Sequence, residues 1–309
     1  MNKKIITFLI IAFTIMMVFA ACTEIDPLGV ANGVPEGYDP DAIVDNGWIY
    51  FVEVNEVGRM RLDGTGVESM FTLPFAYTSK IQLDPVRQKI YILNQDPALD
   101  DSIYGYNLDG SGEQLLFSQA GIDNIWDMTN DYINGFLYFT YKDGIKSINT
   151  NNTGSIADVF SSASVFNTNT VYVTPDYKGG VYYFSANFIY KVLTIASSNV
   201  LPLTPAPVIE YGGLSYNLAD DSLYYFDFFD WIRKLPIGSG DAIDVAQTLG
   251  KLNGNMVVYQ PDGKIFFYDD NGSLGPYILY NINIDGTGTK QEILNNGSTL
   301  LNSFDILAK

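Results

Sequence analysis

Short apolar and aromatic segments recur along the chain, and around them apolar and polar residues alternate with the period of β-strands. Nothing reads as a long amphipathic helix. The recurring segments are Ile49-Tyr50-Phe51, Ile90-Tyr91-Ile92, Leu137-Tyr138-Phe139, Val181-Tyr182-Tyr183, Leu223-Tyr224-Tyr225 and Ile265-Phe266-Phe267. Their starts lie 41, 47, 44, 42 and 42 residues apart. A period in this range, with several strands per unit, predicts the blades of a β-propeller. Alternation within the strands fits sheets stacked face to face around an axis.

Turn residues keep the same register. Asp63-Gly64-Thr65-Gly66, Asp109-Gly110-Ser111-Gly112 and Asp285-Gly286-Thr287-Gly288 are near-copies; the first two are 46 residues apart, and the last two 176, four periods of 44. Asp-Gly followed by a second Gly is hairpin chemistry, because Gly supplies the positive φ of a tight turn. Asn149 to Gly154 and Gly238-Ser239-Gly240 stand at the same place in other blades. The second blade reads as an inner strand, Tyr77 to Leu83, then a second strand, Lys89 to Leu93. A loop from Asn94 to Asp101, a third strand, Ile103 to Leu108, and an outer edge, Glu113 to Phe117, complete it. Six second strands are present, and a seventh would fall near residue 308. The inner strand Asn302 to Leu307 lacks a neighbour, and Trp48 to Val52 lacks an inner strand before it. Pairing the two closes a ring of six four-stranded blades and removes two open edges. The expected fold is thus all-β, a six-bladed propeller over residues 47–309.

The ends of the chain differ in character. Lys3 and Lys4 precede an almost wholly apolar run, Ile5 to Val18, about the length of a signal-peptide core and short for a membrane span. Phe19-Ala20-Ala21-Cys22 resembles the bacterial lipobox, with Phe19 where Leu is usual. That resemblance implies cleavage after residue 21 and lipidation, with palmitate among the acyl chains, of Cys22. Cys22 is the only cysteine, so no internal disulfide exists in an oxidising compartment. Residues 22–46 carry Pro27, Pro35, Pro40, several Gly and scattered Asp, and read as a flexible tether. Glu24 and Asp26 resemble the surface-export signal of Bacteroidetes lipoproteins. The implied location is the outer membrane, on its surface or facing the periplasm, with membrane attachment through the lipid alone.

Charge and composition narrow the function. The chain carries 17 Lys and Arg against 35 Asp and Glu; without the leader lysines the net charge is near −20. Such a surface repels a phosphate backbone and anionic lipid, which argues against a nucleic-acid partner. There is no histidine, so Ser-His-Asp, Cys-His and histidine-metal chemistries are excluded. No nucleophile elbow, phosphate-binding loop or strand-linked dinucleotide fingerprint is present. The Asp-Gly-x-Gly loops lack the further acidic ligands of a calcium loop.

Arg59-Met60-Arg61-Leu62-Asp63-Gly64-Thr65 and Tyr106-Asn107-Leu108-Asp109-Gly110-Ser111 resemble the second half of the repeat in YWTD-type propellers of low-density-lipoprotein receptors. Leu223-Tyr224-Tyr225-Phe226-Asp227 and Ile265-Phe266-Phe267-Tyr268-Asp269 resemble its first half, without the Trp. The resemblance spans roughly residues 47 to 309 and implies six blades and, with the lipoprotein features, a binding role; fold alone does not fix function. Two readings follow. In the first, the chain is a non-enzymatic envelope protein that binds a protein, peptide or glycan, with no cofactor. Its ligand would meet the rim opposite the hairpin turns, where aromatic and acidic residues gather: Phe75, Tyr77, Asp96, Tyr141, Tyr211, Phe228, Phe229 and Asp230. In the second, the channel hosts a metal- or carboxylate-dependent hydrolase or lyase. Lactonase-type propellers hold a metal with Glu, Asn and Asp, and the corresponding candidates are Glu53, Asn94, Asp227 and Asp269, with Ca²⁺ as the ion. Trp126 and Trp231 are expected in the core.

Overall fold

The computed structural model describes residues 47–96, 100–119, 125–142, 144–151, 155–161, 172–185, 188–192, 200–203, 210–227, 229–239, 241–247, 252–269, 278–295 and 301–307. The expected leader, Cys22 and tether lie outside the described residues, as does Phe228. Each aromatic segment becomes the second strand of a four-stranded antiparallel sheet: Trp48–Glu53, Lys89–Asn94, Phe136–Tyr141, Val181–Ser185, Ser222–Asp227 and Lys264–Asp269. These strands are buried along almost their whole length. Both faces are covered, which is why they read as continuous apolar runs rather than as alternation.

The inner strands are Thr78–Asp84, Met128–Asp131, Val173–Pro175, Glu210–Asn217, Leu252–Tyr259 and Leu301–Leu307. They adjoin one another in succession and return to the first, so the six sheets form a closed propeller. Blade one is composite, as expected: Leu301–Leu307 pairs antiparallel with Trp48–Glu53, in register from Trp48↔Leu307 to Val52↔Ser303. Third strands (Asp101–Asn107 in blade two) and outer strands (Gln114–Gln119) follow.

Six apolar cores fill the six gaps between neighbouring blades. Alternation along a second strand sends its residues to opposite gaps. Ile49 and Phe51 pack toward blade six, while Tyr50 and Val52 pack toward blade two. Tyr50, Tyr138, Tyr182, Tyr224 and Phe266 are almost fully buried; for an apolar ring such as Phe266 that burial contributes roughly 1.5–3 kcal/mol. Trp126 lies just ahead of the inner strand Met128–Asp131 and is half-buried against the core between blades three and four. Trp231 opens a third strand and lies half-buried beneath the Arg233 guanidinium, 5.7 Å from its ring.

Polar side chains of the inner strands, and of Asp127 just ahead of one, stitch every gap. Ser303 Oγ and Asp305 Oδ2 accept the Ile81 and Leu83 N–H groups of blade two, at 3.1 and 2.8 Å. Gln82 Oε1 accepts the Asn130 N–H of blade three, and Asp127 Oδ2 accepts the Val173 N–H of blade four. Thr174 Oγ1 accepts from Tyr216 N in blade five, and Ser215 Oγ from Val258 N in blade six. Asn255 Nδ2 then donates to Ser303 Oγ and the Phe304 carbonyl, completing the circuit. Backbone groups on the inner edge of each sheet would otherwise face the channel unpaired.

The Asp-Gly-x-Gly segments are hairpin turns between third and outer strands. In each, the Asp Oδ1 accepts the N–H and the hydroxyl of the residue two positions on, at 2.6–2.9 Å. Those bonds lower the Asp63, Asp109 and Asp285 pKa values. The first Gly serves packing as well as φ. A Cβ on Gly64 or Gly286 would sit 2.0 Å from a carbonyl oxygen, Ile293 or Val245, in the outer strand of the preceding blade.

Candidate functional site

Strand direction sorts the connections onto two rims. Inner-to-second and third-to-outer turns share one rim. Second-to-third loops and blade crossings share the other, where the described rim and metal candidates fall. Tyr77, at the entry to the blade-two inner strand, is 51% exposed, and Phe229, in the blade-five loop, is 64% exposed. Val54, in the blade-one turn, adds a third apolar side chain at 48%; its neighbours Glu53 and Asn55 gave no aromatic signal by which the sequence could mark it. Phe75 is instead half-buried and stacks on Tyr104, centroids 4.9 Å apart, as part of the core between blades one and two. Tyr141 packs edge-on against Phe117, with the Lys142 and Lys146 ammonium groups each 5.2 Å from its ring. Asp96 is half-buried. Tyr211 lies in the blade-five inner strand, with its side chain outside what is described.

The loop that presents Phe229 is built by Asp227. Its Oδ1 accepts the Phe229 and Trp231 N–H groups, both at 2.9 Å, and its Oδ2 takes Arg233 Nε at 2.6 Å. Arg233 also pairs with Asp244 on the outer strand. Asp230 completes the turn at φ +62°. Asp269, fully buried, holds Lys290 Nζ at 2.6 Å. Both carboxylates therefore bind cations of their own blade.

The four metal candidates end four second strands, but alternation points them into four different gaps. Glu53 follows Ile49 and Phe51 toward blade six, and Asn94 follows Ile90 and Ile92 toward blade one. Asp227 follows Leu223 and Tyr225 toward blade four, and Asp269 follows Ile265 and Phe267 toward blade five. Among the described residues no three Asp, Glu, His or Cys side chains gather as a metal cluster. Asn94 Oδ1 and Thr78 Oγ1, on register partners, are buried without a protein hydrogen-bond partner.

The channel is lined by the inner strands and carries groups not singled out in the sequence. Lys80 Nζ meets Asp127 Oδ1 at 2.9 Å, with the two side chains 17% and 4% exposed. Asp305 accepts the Leu83 and Ile306 N–H groups, yet burial pushes its pKa up to about 6. Burial likewise raises Asp131, whose oxygens accept from the Asn134 N–H and side-chain amide. These carboxylates are committed to holding strands and turns. Paired carboxylates free to act as acid and base on a glycoside are a different arrangement.

No protein-family model and no curated protein sequence matches this chain. Solved structures match it in fold. A chain of the nidogen–laminin complex aligns with TM-score 0.66 at 14% identity, covering 84% of this chain and 98% of that chain. TolB from Acinetobacter baumannii aligns with TM-score 0.63 at 12% identity, covering 84% of this chain and 66% of that one. A catalytically inactive histidine-to-alanine variant of virginiamycin B lyase from Staphylococcus aureus, with quinupristin, aligns with TM-score 0.56 at 12% identity over 82% and 87%. At these identities the likeness is one of architecture, the six-bladed β-propeller.

Proposed function

We propose that this chain is a lipoprotein of the cell envelope, of the Bacteroidetes surface type, anchored through Cys22. Its YWTD-like propeller binds a protein, peptide or glycan on the loop rim and catalyses no reaction. The observation that carries the binding role is the exposure of Tyr77 and Phe229 on that rim. Large aromatic side chains held out of the core by short, hydrogen-bonded turns supply contact area at small entropic cost. Asp230 follows Phe229 in sequence, and Asp96 follows Gln95, whose N–H donates to the Tyr77 carbonyl at 2.8 Å; an aromatic face beside carboxylates suits a sugar ring or a cationic peptide side chain. The nidogen propeller was crystallised with laminin, which supports a binding role for this architecture. The similar lyase is inactive once one histidine is replaced, and this chain has no histidine.

The test has two parts. In the bacterial envelope, labelled palmitate should enter the wild-type protein and not a Cys22→Ser variant. Purified protein should then be passed over glycan and peptide arrays beside a Tyr77→Ser, Phe229→Ser double variant. Loss of bound spots in the double variant supports the rim. Spots that survive it but vanish on replacing Lys80 would move the site into the channel.

A further inference from the structure

The turn between Trp48–Glu53 and Glu56–Arg61 is a two-residue hairpin, with Glu53 paired to Glu56 and with Val54 and Asn55 at its tip. Val54 stands at φ +58°. The first central position of such a turn asks for positive φ, which glycine, asparagine or aspartate supplies at low cost. A branched Cβ in the left-handed region crowds its own backbone. The other described side chains at positive φ are Gln88, Lys142, Tyr177, Asp221 and Asp230, and none of them is β-branched. No core contact compensates for this strain: Val54 is 48% exposed and belongs to none of the six apolar cores between blades. Strain retained to hold an apolar side chain in water points to contact with something outside the chain.

Val54 has apolar company on the loop rim. The Asn55 carbonyl accepts the Leu73 N–H at 2.7 Å, which ties the hairpin tip to the crossing from blade one to blade two. Along that crossing Leu73 is buried and Phe75 half-buried, while Pro74, Ala76 and Tyr77 are exposed. At its far end the Tyr77 carbonyl accepts the Gln95 N–H of the blade-two loop at 2.8 Å. The chain from Leu73 to Tyr77 spans at most about 14 Å, so Val54, Pro74, Ala76 and Tyr77 lie along one short apolar ridge. The segments that build it, residues 53–56, 72–78 and 94–101, contain Glu53, Glu56, Asp96, Asp100 and Asp101 and no lysine or arginine. Glu56 and Asp100 are exposed, and Glu53 and Asp96 half-buried. In a chain of net charge −18 the ridge is an apolar strip in a negative field.

We propose that this ridge docks a basic peptide segment, its apolar side chains against Val54 and Tyr77 and its lysines or arginines among the surrounding carboxylates. Apolar contact supplies the affinity, and charge selects the partner and speeds its approach. The inference rests on the loop-rim reading above and narrows it to blades one and two and to a cationic peptide.

The probe is a leucine-centred peptide with lysines at both ends, titrated against the purified protein by fluorescence anisotropy, beside copies with glutamate for lysine or serine for leucine. The first should saturate, the glutamate copy should not bind, and the serine copy should bind about tenfold more weakly or worse. Val54→Gly should weaken the first peptide about three- to tenfold, as loss of a half-buried valine contact does. Its melting temperature should be no lower than that of wild type, and about 2 °C higher from the relieved strain. Ile243→Ser removes a branched side chain of similar exposure, 54%, from the outer strand of blade five, and should leave binding unchanged. Equal binding of the glutamate copy, undiminished binding to Val54→Gly, a lower melting temperature for Val54→Gly, or an equal loss in Ile243→Ser each overturns the assignment. Absence of binding by the lysine peptide overturns it too. Array spots lost in the Tyr77→Ser, Phe229→Ser variant would then leave the loop-rim reading standing, whereas spots that survive would remove both.

Discussion

Asp305 offers a test of how the channel is held together. It lies on the closing inner strand and accepts the Leu83 and Ile306 N–H groups, both at 2.8 Å. Burial raises its pKa from 3.8 to about 6, against those two bonds and the charge of Lys80. An unfolded chain holds an aspartate near 3.9. The folded state therefore grips the proton more tightly, and folding is favoured when Asp305 is protonated. Below about pH 4 both states are protonated and the group costs nothing. As pH rises through the window from about 4 to 6, the unfolded state ionises first and the native state loses ground. Above that window the loss levels off at about 3 kcal/mol, from roughly two pKa units at 1.36 kcal/mol each. Asp305→Asn cannot ionise, so its stability relative to wild type isolates this one group from every other titration. Urea unfolding followed by tryptophan fluorescence, at steps from pH 4 to 7.5, should show wild type losing about 3 kcal/mol against the variant. Any acceptor lost in the variant adds a constant offset. A pH-independent difference would refute the reasoning. A wild type that gains on the variant as pH rises would mean that the two N–H groups outweigh burial.

Three other outcomes are expected. Gly286→Ala should cost at least about 2 kcal/mol, the strain of positive φ plus the approach to the Val245 carbonyl. Gly238→Ala, at φ +89° with nothing within 4 Å, should cost only about 1, and denaturant melts of the two give the contact part by difference. Asp127→Ala should cost about 3–5 kcal/mol, because it strands both the Lys80 ammonium and the Val173 N–H; a loss below about 1 kcal/mol would show the pair to be solvated. Neither Ca²⁺ nor EDTA should move the melting temperature, given the divergence of Glu53, Asn94, Asp227 and Asp269 into four gaps.

Much of the ring was legible in the sequence because its signals are local. Second strands are buried on both faces, so Ile-Tyr-Phe runs announce themselves, and Asp-Gly-x-Gly turns need their glycines for φ. The matched deficit at Trp48 and Leu307 gave ring closure. Outer strands were harder to read, since Glu68–Thr72 and Ile243–Gln247 are largely exposed and carry little apolar pattern. Of the aromatic rim candidates, Tyr77 and Phe229 are exposed, while Phe75 turns inward onto Tyr104 in the core between blades one and two. The acidic candidates mislead for the same reason. Asp227 and Asp269 look available until register brings Arg233 and Lys290 alongside.

The composite blade has a kinetic side. Trp48 pairs with Leu307, 259 residues further along the chain, and the inter-blade circuit through Ser303 closes only with it. Pairings of such separation raise contact order and slow folding. Until Leu301–Leu307 docks, Trp48–Glu53 is the bare margin of a three-stranded sheet, with its N–H and C=O groups able to recruit any extended segment. Two chains at high concentration can each lend this strand to the other, so refolding yield should fall, and exchanged dimers accumulate, as protein concentration is raised.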